Sequence, residues 1–295
     1  MDFSLTGEQQ LLRDTAHKLL ERECPPSLVR AHIDDPSVYT QLWRHLSDYT
    51  ALGLGPCADC CLFLEETGYV AAPGPFLATL LFGALTGDDA MGTVVTPPYT
   101  LELDRVDKVA YFSDDGVVVR DTHNLGTEFI PTVDSSRRVF HVDVPEHAPL
   151  PAWRDRAYAC IAAEMVGTAR RIFDMALQYA KERVQFDVPI GSFQAIQHKL
   201  ADMSLALERA TAAVHYAAMT VDAQDADRER ACHVAKAAAG EACRRILKDG
   251  IQIHGGIGYT WEHDLHLYLR RATADEYLLG TTGWHHDRLA DLIIG

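Results

Sequence analysis

The segment Tyr179–Met203, YAKERVQFDVPIGSFQAIQHKLADM, decides the architecture of this chain. Its first residues close one long apolar-periodic stretch, Pro189-Ile190-Gly191 makes a turn, and its last residues open a second periodic stretch. Long helices joined by so short a connection are neighbours in a bundle. Working outward, three-and-four spacing predicts helices near 152–184, 192–224 and 228–253, with shorter ones near 263–279 and 284–293. Residues 151–295 therefore read as a bundle of about four helices. Ala231, Ala235, Ala238, Ala239 and Ala242 keep one of them thin enough for close packing.

Upstream, residues 1–91 also read as helical. Thr6-Gly7-Glu8-Gln9 forms a capping box ahead of Leu11, Leu12, Ala16, Leu19 and Leu20 at helical spacing. A further helix covers CADCCLFLEETGYV, and Pro73 and Pro75 punctuate before another near Phe76–Leu85. Between 92 and 150 the texture changes to the β-branched runs VVTPPYTLEL, KVAYF and GVVVRD, divided by Asp-Asp-Gly and Pro. The expected fold is mainly α with a small, mostly antiparallel β-domain in the middle.

Lysine plus arginine number 27 against 42 acidic residues, a formal charge of −15 that argues against nucleic acid as a partner. No apolar run is long enough for a signal peptide or a membrane span, so a cytoplasmic protein with no membrane attachment is expected. Of the seven cysteines, Cys57, Cys60 and Cys61 have no second CxxC or His-x-His partner at zinc spacing. No metal site is expected, and reduced core thiols are the simple reading.

Two segments carry chemistry. Around the Pro-Gly turn, Arg183, Gln185 and Phe186 present a guanidinium, an amide and an aromatic ring together, a set that suits a nucleotide. The plain alternative is a solvated Arg183 at a helix C-terminus with Phe186 as a core staple. The second segment, Gln252-Ile253-His254-Gly255-Gly256-Ile257-Gly258-Tyr259-Thr260, follows a long helix with three glycines that permit a sharp turn and close backbone approach to a ligand. Ordinary helix C-caps also use glycine.

Together the two segments resemble the acyl-CoA dehydrogenase family. YAKERVQFDVPIGSFQAIQHKLADM is similar to that family's YaxeRxqFGxpIxxFQxxqxxLAdM, and QIHGGIGYTWEHDLHLYLRRA to its QxxGGxGYxxExpxxRxxRDA; CADCCLFLEETGYV resembles the helix ending in LEELGR. The resemblance implies a helical domain, a β-domain and a C-terminal four-helix bundle. It also implies FAD as cofactor, with Arg183, Gln185, Phe186, Gln252, Gly255, Gly256 and Thr281 as contacts, most of them serving a flavin held mainly by a neighbouring subunit.

The pattern breaks where the chemistry needs a proton acceptor. Leu279, ahead of Gly280 and Thr281, stands where the family has its catalytic glutamate, and Ala157 stands where some members carry an alternative one. Arg271 replaces an aspartate, Asp187 a glycine, and the TEpxaGSD and NGxKxwIT segments have no counterpart between 92 and 150. The resemblance extends to the shorter, base-lacking subunit of heterotetrameric actinobacterial dehydrogenases acting on steroid-derived CoA thioesters. It implies a full-length acyl-CoA dehydrogenase subunit as partner, an acyl-CoA substrate, and electron-transfer flavoprotein as electron acceptor. The alternatives are a self-sufficient enzyme whose base has moved to Glu276, Asp275, Glu164 or His285, and a non-enzymatic scaffold. Glu276 and Asp275 otherwise read as a solvated acidic face, and His285-His286 as a surface pair.

Overall fold

The structure, a computed structural model, describes residues 4–97, 99–144 and 147–294. The start of the N-terminal stretch read for a signal peptide lies outside the described residues. Five helices come first: α1 (Gly7–Glu23), α2 (Pro26–Asp34), α3 (Tyr39–Leu46), α4 (Cys57–Tyr69) and α5 (Phe76–Thr86). The capping box forms as read, with Gln9 N donating to Thr6 Oγ1 and Thr6 N to Gln9 Oε1, each at 3.2 Å. The cysteine-rich segment is helical, and α4 is buried along nearly its whole length.

Six strands follow: β1 (Gly92–Val94), β2 (Tyr99–Leu101), β3 (Lys108–Ser113), β4 (Gly116–Asp121), β5 (Thr127–Ile130) and β6 (Val139–Val142). They form two three-stranded sheets, β1-β3-β4 and β2-β6-β5, in which only the β1–β3 pair is parallel among the described residues. Val95, Leu103, Val109, Phe140 and Val142 make a small separate core there.

The rest is helical: α6 (Pro151–Glu182), a hairpin of β7 (Val184–Gln185) and β8 (Val188–Pro189), then α7 (Gln194–Asp222), α8 (Arg228–His254), α9 (Leu265–Tyr277) and α10 (Thr282–Ile294). These bounds lie within about two residues of the expected ones, the usual play at frayed ends.

Glycines set the contact between α4 and α6. A Cβ on Gly68 would lie 2.1 Å from the Glu164 carbonyl oxygen, and one on Gly167 would lie 1.8 Å from that of Glu65. The two helices run parallel, because Cys60 meets Arg156, Gly68 meets Thr168 and Tyr69 meets Asp174 in rising order along both. Any side chain at either glycine would push α4 off the bundle.

Candidate cofactor and substrate sites

The two sequence segments meet at one end of the bundle. Arg183 caps α6, its N–H donating to Tyr179 O at 2.8 Å, and one turn earlier the Tyr179 ring stacks on His254 at 4.7 Å and 28°. His254 ends α8, so this stack carries Gln252, Gly255 and Gly256 to the same end as Arg183, Gln185 and Phe186. His254 is buried and its Nδ1 donates to Gly250 O at 2.8 Å, which fixes the ring.

Phe186 and Asp187 form the tip of the hairpin, with φ of 53° and 63°. Both central residues are left-handed, the geometry of a type I′ turn, and for phenylalanine that conformation is strained. Phe186 is 88% exposed, so the core-staple alternative is overturned; its ring stands edge-on to Phe193 with centroids 6.2 Å apart. The Arg183 side chain is exposed and has no hydrogen bond or ion pair among the described residues. Gln185 is exposed, its amide donating to Val184 O at 2.7 Å.

Gly255 has φ 65° and ψ −140°, a region essentially restricted to glycine, and a Cβ on Gly256 would meet nothing within 4 Å. Space is therefore kept open beyond the helix end. Thr281 sits elsewhere. Its hydroxyl accepts from Trp284 N at 3.3 Å as the N-cap of α10, and the neighbouring Thr282 hydroxyl packs against Gly240, in mid-α8. Twelve residues of helix separate Gly240 from Gln252, about 18 Å. One chain thus does not bring Thr281 to the Arg183 end.

Leu279 lines a cavity of about 490 Å³ between α5, the sheets and the bundle, with Leu77, Leu81, Val94, Trp153, Ile161 and Arg137. Leu279 has φ 55° and Gly280 φ 108°, so the turn after α9 aims the residue before the glycine in an unusual direction. None of the described lining residues carries a carboxylate or an imidazole. Ala157 is fully buried, and it lies on α6 one turn from both Trp153 and Ile161, which line this cavity.

The four side chains considered as relocated bases are all engaged. Both Glu164 oxygens accept from Arg137 Nη2 at 2.7 Å, and Oε1 also accepts from Arg271 Nη1 at 3.0 Å. Arg271 also binds Asp134 at 2.6 Å and Ser136 Oγ at 2.9 Å, while Arg137 pairs with Asp275. Glu276 accepts from Thr282 N and Oγ1 at 2.9 and 3.0 Å. His285 is fully buried, its Nδ1 2.8 Å from that of His233, among the rings of Tyr158 and Trp284.

The solvated acidic face and the surface histidine pair are therefore corrected. Asp275 and His285 are fully buried, and only His286 of the pair is exposed. Burial, first, and the neighbouring Glu164 raise the Asp275 carboxyl to about 7 against the pull of Arg137. Burial, with the Lys236 charge, holds His285 neutral at about 3. Lys236 itself is buried and donates to the carbonyls of Asp275, Glu276 and Gly280 at 3.2–3.3 Å, tying down the turn that carries Leu279. Sequence reading missed this network; its one signal was charge at positions such as Glu164 and Lys236 inside apolar-periodic helices.

A helical domain, small sheets and a bundle carrying both motifs at one end define an acyl-CoA dehydrogenase, and this chain belongs to the acyl-CoA dehydrogenase family. The family model for the acyl-CoA dehydrogenase C-terminal domain matches residues 156–294. The chain is 33% identical over 303 residues to the acyl-CoA dehydrogenase IpdE2 of Mycobacterium tuberculosis, covering 92% of this chain and 93% of that protein. It is 32% identical to IpdE2 of Mycolicibacterium smegmatis, covering 94% and 96%. Among solved structures, the ChsE4-ChsE5 complex from Mycobacterium tuberculosis matches with a TM-score of 0.84 at 20% identity over 100% of this chain and 99% of that one. A variant of the Tcur3481-Tcur3483 steroid ACAD gives 0.83 at 22% over 97% and 98%.

The family's cofactor is FAD, and the Arg183 end has groups that fit it. An unpaired guanidinium suits the pyrophosphate, an exposed ring suits adenine, and the side-chain-free Gly255-Gly256 backbone allows close approach. Among the described residues no helix is long and apolar enough to cross a membrane.

Proposed function

We propose that this chain is the short subunit of a hetero-oligomeric acyl-CoA dehydrogenase, supplying part of a shared FAD site while a full-length partner subunit supplies the base. The observation that carries this reading is the contrast between two ends of one molecule. Among the described residues the Leu279 cavity offers no carboxylate or imidazole, whereas Arg183, Phe186, Gln252, Gly255 and Gly256 are exposed at the other site. When bound, FAD accepts the β-hydride while a carboxylate removes the α-proton to form an α,β-unsaturated thioester. Arg183 pairs with the pyrophosphate, Phe186 covers the adenine, and Gln185 and Gln252 orient the nucleotide through their amides. Thr281 belongs to the separate Leu279 side of the chain.

A bulky, steroid-derived acyl group is the substrate we favour, since one matching structure is a steroid ACAD and the middle sheets are small. Electron-transfer flavoprotein takes the electrons in this reading, in a reducing cytoplasm that suits seven free, buried cysteines. A relocated base within this chain is disfavoured because Glu164, Asp275, Glu276 and His285 are all held by other side chains.

Coexpression with a full-length acyl-CoA dehydrogenase from the same genome tests the reading. A yellow heterotetramer next to a colourless lone chain is expected. A yellow homomer that oxidises acyl-CoA on its own would overturn it.

A further inference from the structure

Cys57, Cys61 and Cys160 bring three thiols to one point in the contact between α4 and α6, their Sγ atoms within 4.8 Å of one another and each residue at most 1% exposed. Two come from α4, one turn apart, and the third from the facing helix. The register follows from the glycine contact: Cys61 stands seven residues before Gly68, and Cys160 seven before Gly167. Spacing along the sequence could not reveal this set, because its third member lies on a different helix from the other two.

The geometry is near that of a metal site. Three thiolates around a d10 cation at about 2.3 Å place their sulfurs about 4 Å apart, so shifts within about 1 Å would close the set. Cys60 sits beside it, donating its thiol to Leu52 O at 3.0 Å and accepting from Arg156 Nη2 at 3.1 Å. Arg156 decides the charge. Three thiolates and a dication sum to one negative charge, which a guanidinium neutralises, whereas a monovalent cation would leave a second buried negative charge unmatched. A separate cavity of about 430 Å³, lined by Ala58, Cys61, His215 and Asp222 among others, reaches Cys61 and offers an entry path.

We propose that Cys57, Cys61 and Cys160 bind one thiophilic divalent cation, zinc in the cell, which staples α4 to α6 and so the first helical domain to the bundle. The three sulfurs supply three of the four ligands of a tetrahedral ion, the fourth being a water admitted through that cavity, and the cost of assembly is small because α4 and α6 already hold the sulfurs in place. This inference does not rest on the FAD reading.

The test uses the purified chain, coexpressed with its partner where needed, stripped by chelator under reductant and titrated with Cd²⁺. An ultraviolet thiolate charge-transfer band saturating at one ion per chain is expected, together with a rise in Tm. Both should vanish in Cys160→Ala and in Cys57→Ala, and persist in Cys243→Ala, whose thiol donates to Met165 O at 3.3 Å. All seven cysteines are buried, so surface thiols do not contaminate the signal. Circular dichroism identifies any variant that fails to fold, and the second variant then decides. No band, or a band that survives in Cys160→Ala, would overturn the proposal.

Discussion

Arg271 Nη1 lies 3.0 Å from Glu164 Oε1, with both side chains buried, so that α9 is joined to α6 by an ion pair in the core. Arg271 stands where the family pattern has an aspartate, and Glu164 supplies the matching opposite charge from the facing helix. Asp134, held by its own turn through Ser136, completes the arginine's surroundings. The reversal at position 271 is therefore compensated in space, and three segments distant in sequence are locked together, joined through Glu164 to Arg137, which lines the Leu279 cavity.

Arg271→Ala should cost about 3–5 kcal/mol, because it takes from Asp134 its hydrogen-bonded buried counter-charge and leaves Glu164 to Arg137 alone. Arg271→Lys should recover little, since an ammonium cannot serve Glu164, Asp134 and Ser136 at once as the guanidinium does. Denaturant midpoints measure both; a loss below about 1 kcal/mol would contradict the assigned role.

Asp275 makes stability depend on pH. Its folded carboxyl titrates at about 7, above its unfolded value of about 4, so the folded state holds an extra proton between the two. Stability from this group is present at low pH and is lost as pH rises toward 7, by at most about 1.4 kcal/mol per pH unit. In Asp275→Asn that part of the slope should disappear. An unchanged difference between variant and native protein from pH 5 to 8 would refute it.

Arg183→Ala should lower flavin occupancy of the proposed complex without unfolding it, because the side chain is exposed and has no hydrogen bond or ion pair among the described residues. A charge-assisted contact worth about 1.5–3 kcal/mol corresponds to roughly 10- to 100-fold weaker binding. Visible absorbance per heterotetramer reads the effect, and full occupancy at low FAD would remove Arg183 from the site.

Leu279→Ala tests the proposed division of roles between two subunits. If the partner supplies the base, kcat of the complex should stay within about twofold, while burial lost at the cavity costs about 2–3 kcal/mol of stability. A kcat loss of an order of magnitude at normal flavin content would place the reacting acyl chain in this chain's own cavity.

Phe186 marks where reading residues in order stopped. The composition of the turn left both a nucleotide-binding set and a core staple open, and the 88% exposure of the ring excluded the staple. Asp275 and His285 failed for the opposite reason: isolated acidic and imidazole side chains usually face solvent, and nothing nearby in sequence announces Arg137 or His233 as the partners that bury them.

Helical periodicity, the capping box, the β-branched runs and the two long motifs were legible along the chain, because each depends on residues within one or two turns of one another. Leu279 in place of a glutamate was legible too, since a missing functional group is a property of one position. The buried charge network, the convergence of Cys160 on Cys57 and Cys61, and the separation of Thr281 from the Arg183 end belonged to the tertiary structure alone. They arise where helices cross, and the crossings of α6 with α4 and α9 are set by glycine contacts and burial that join residues about a hundred positions apart.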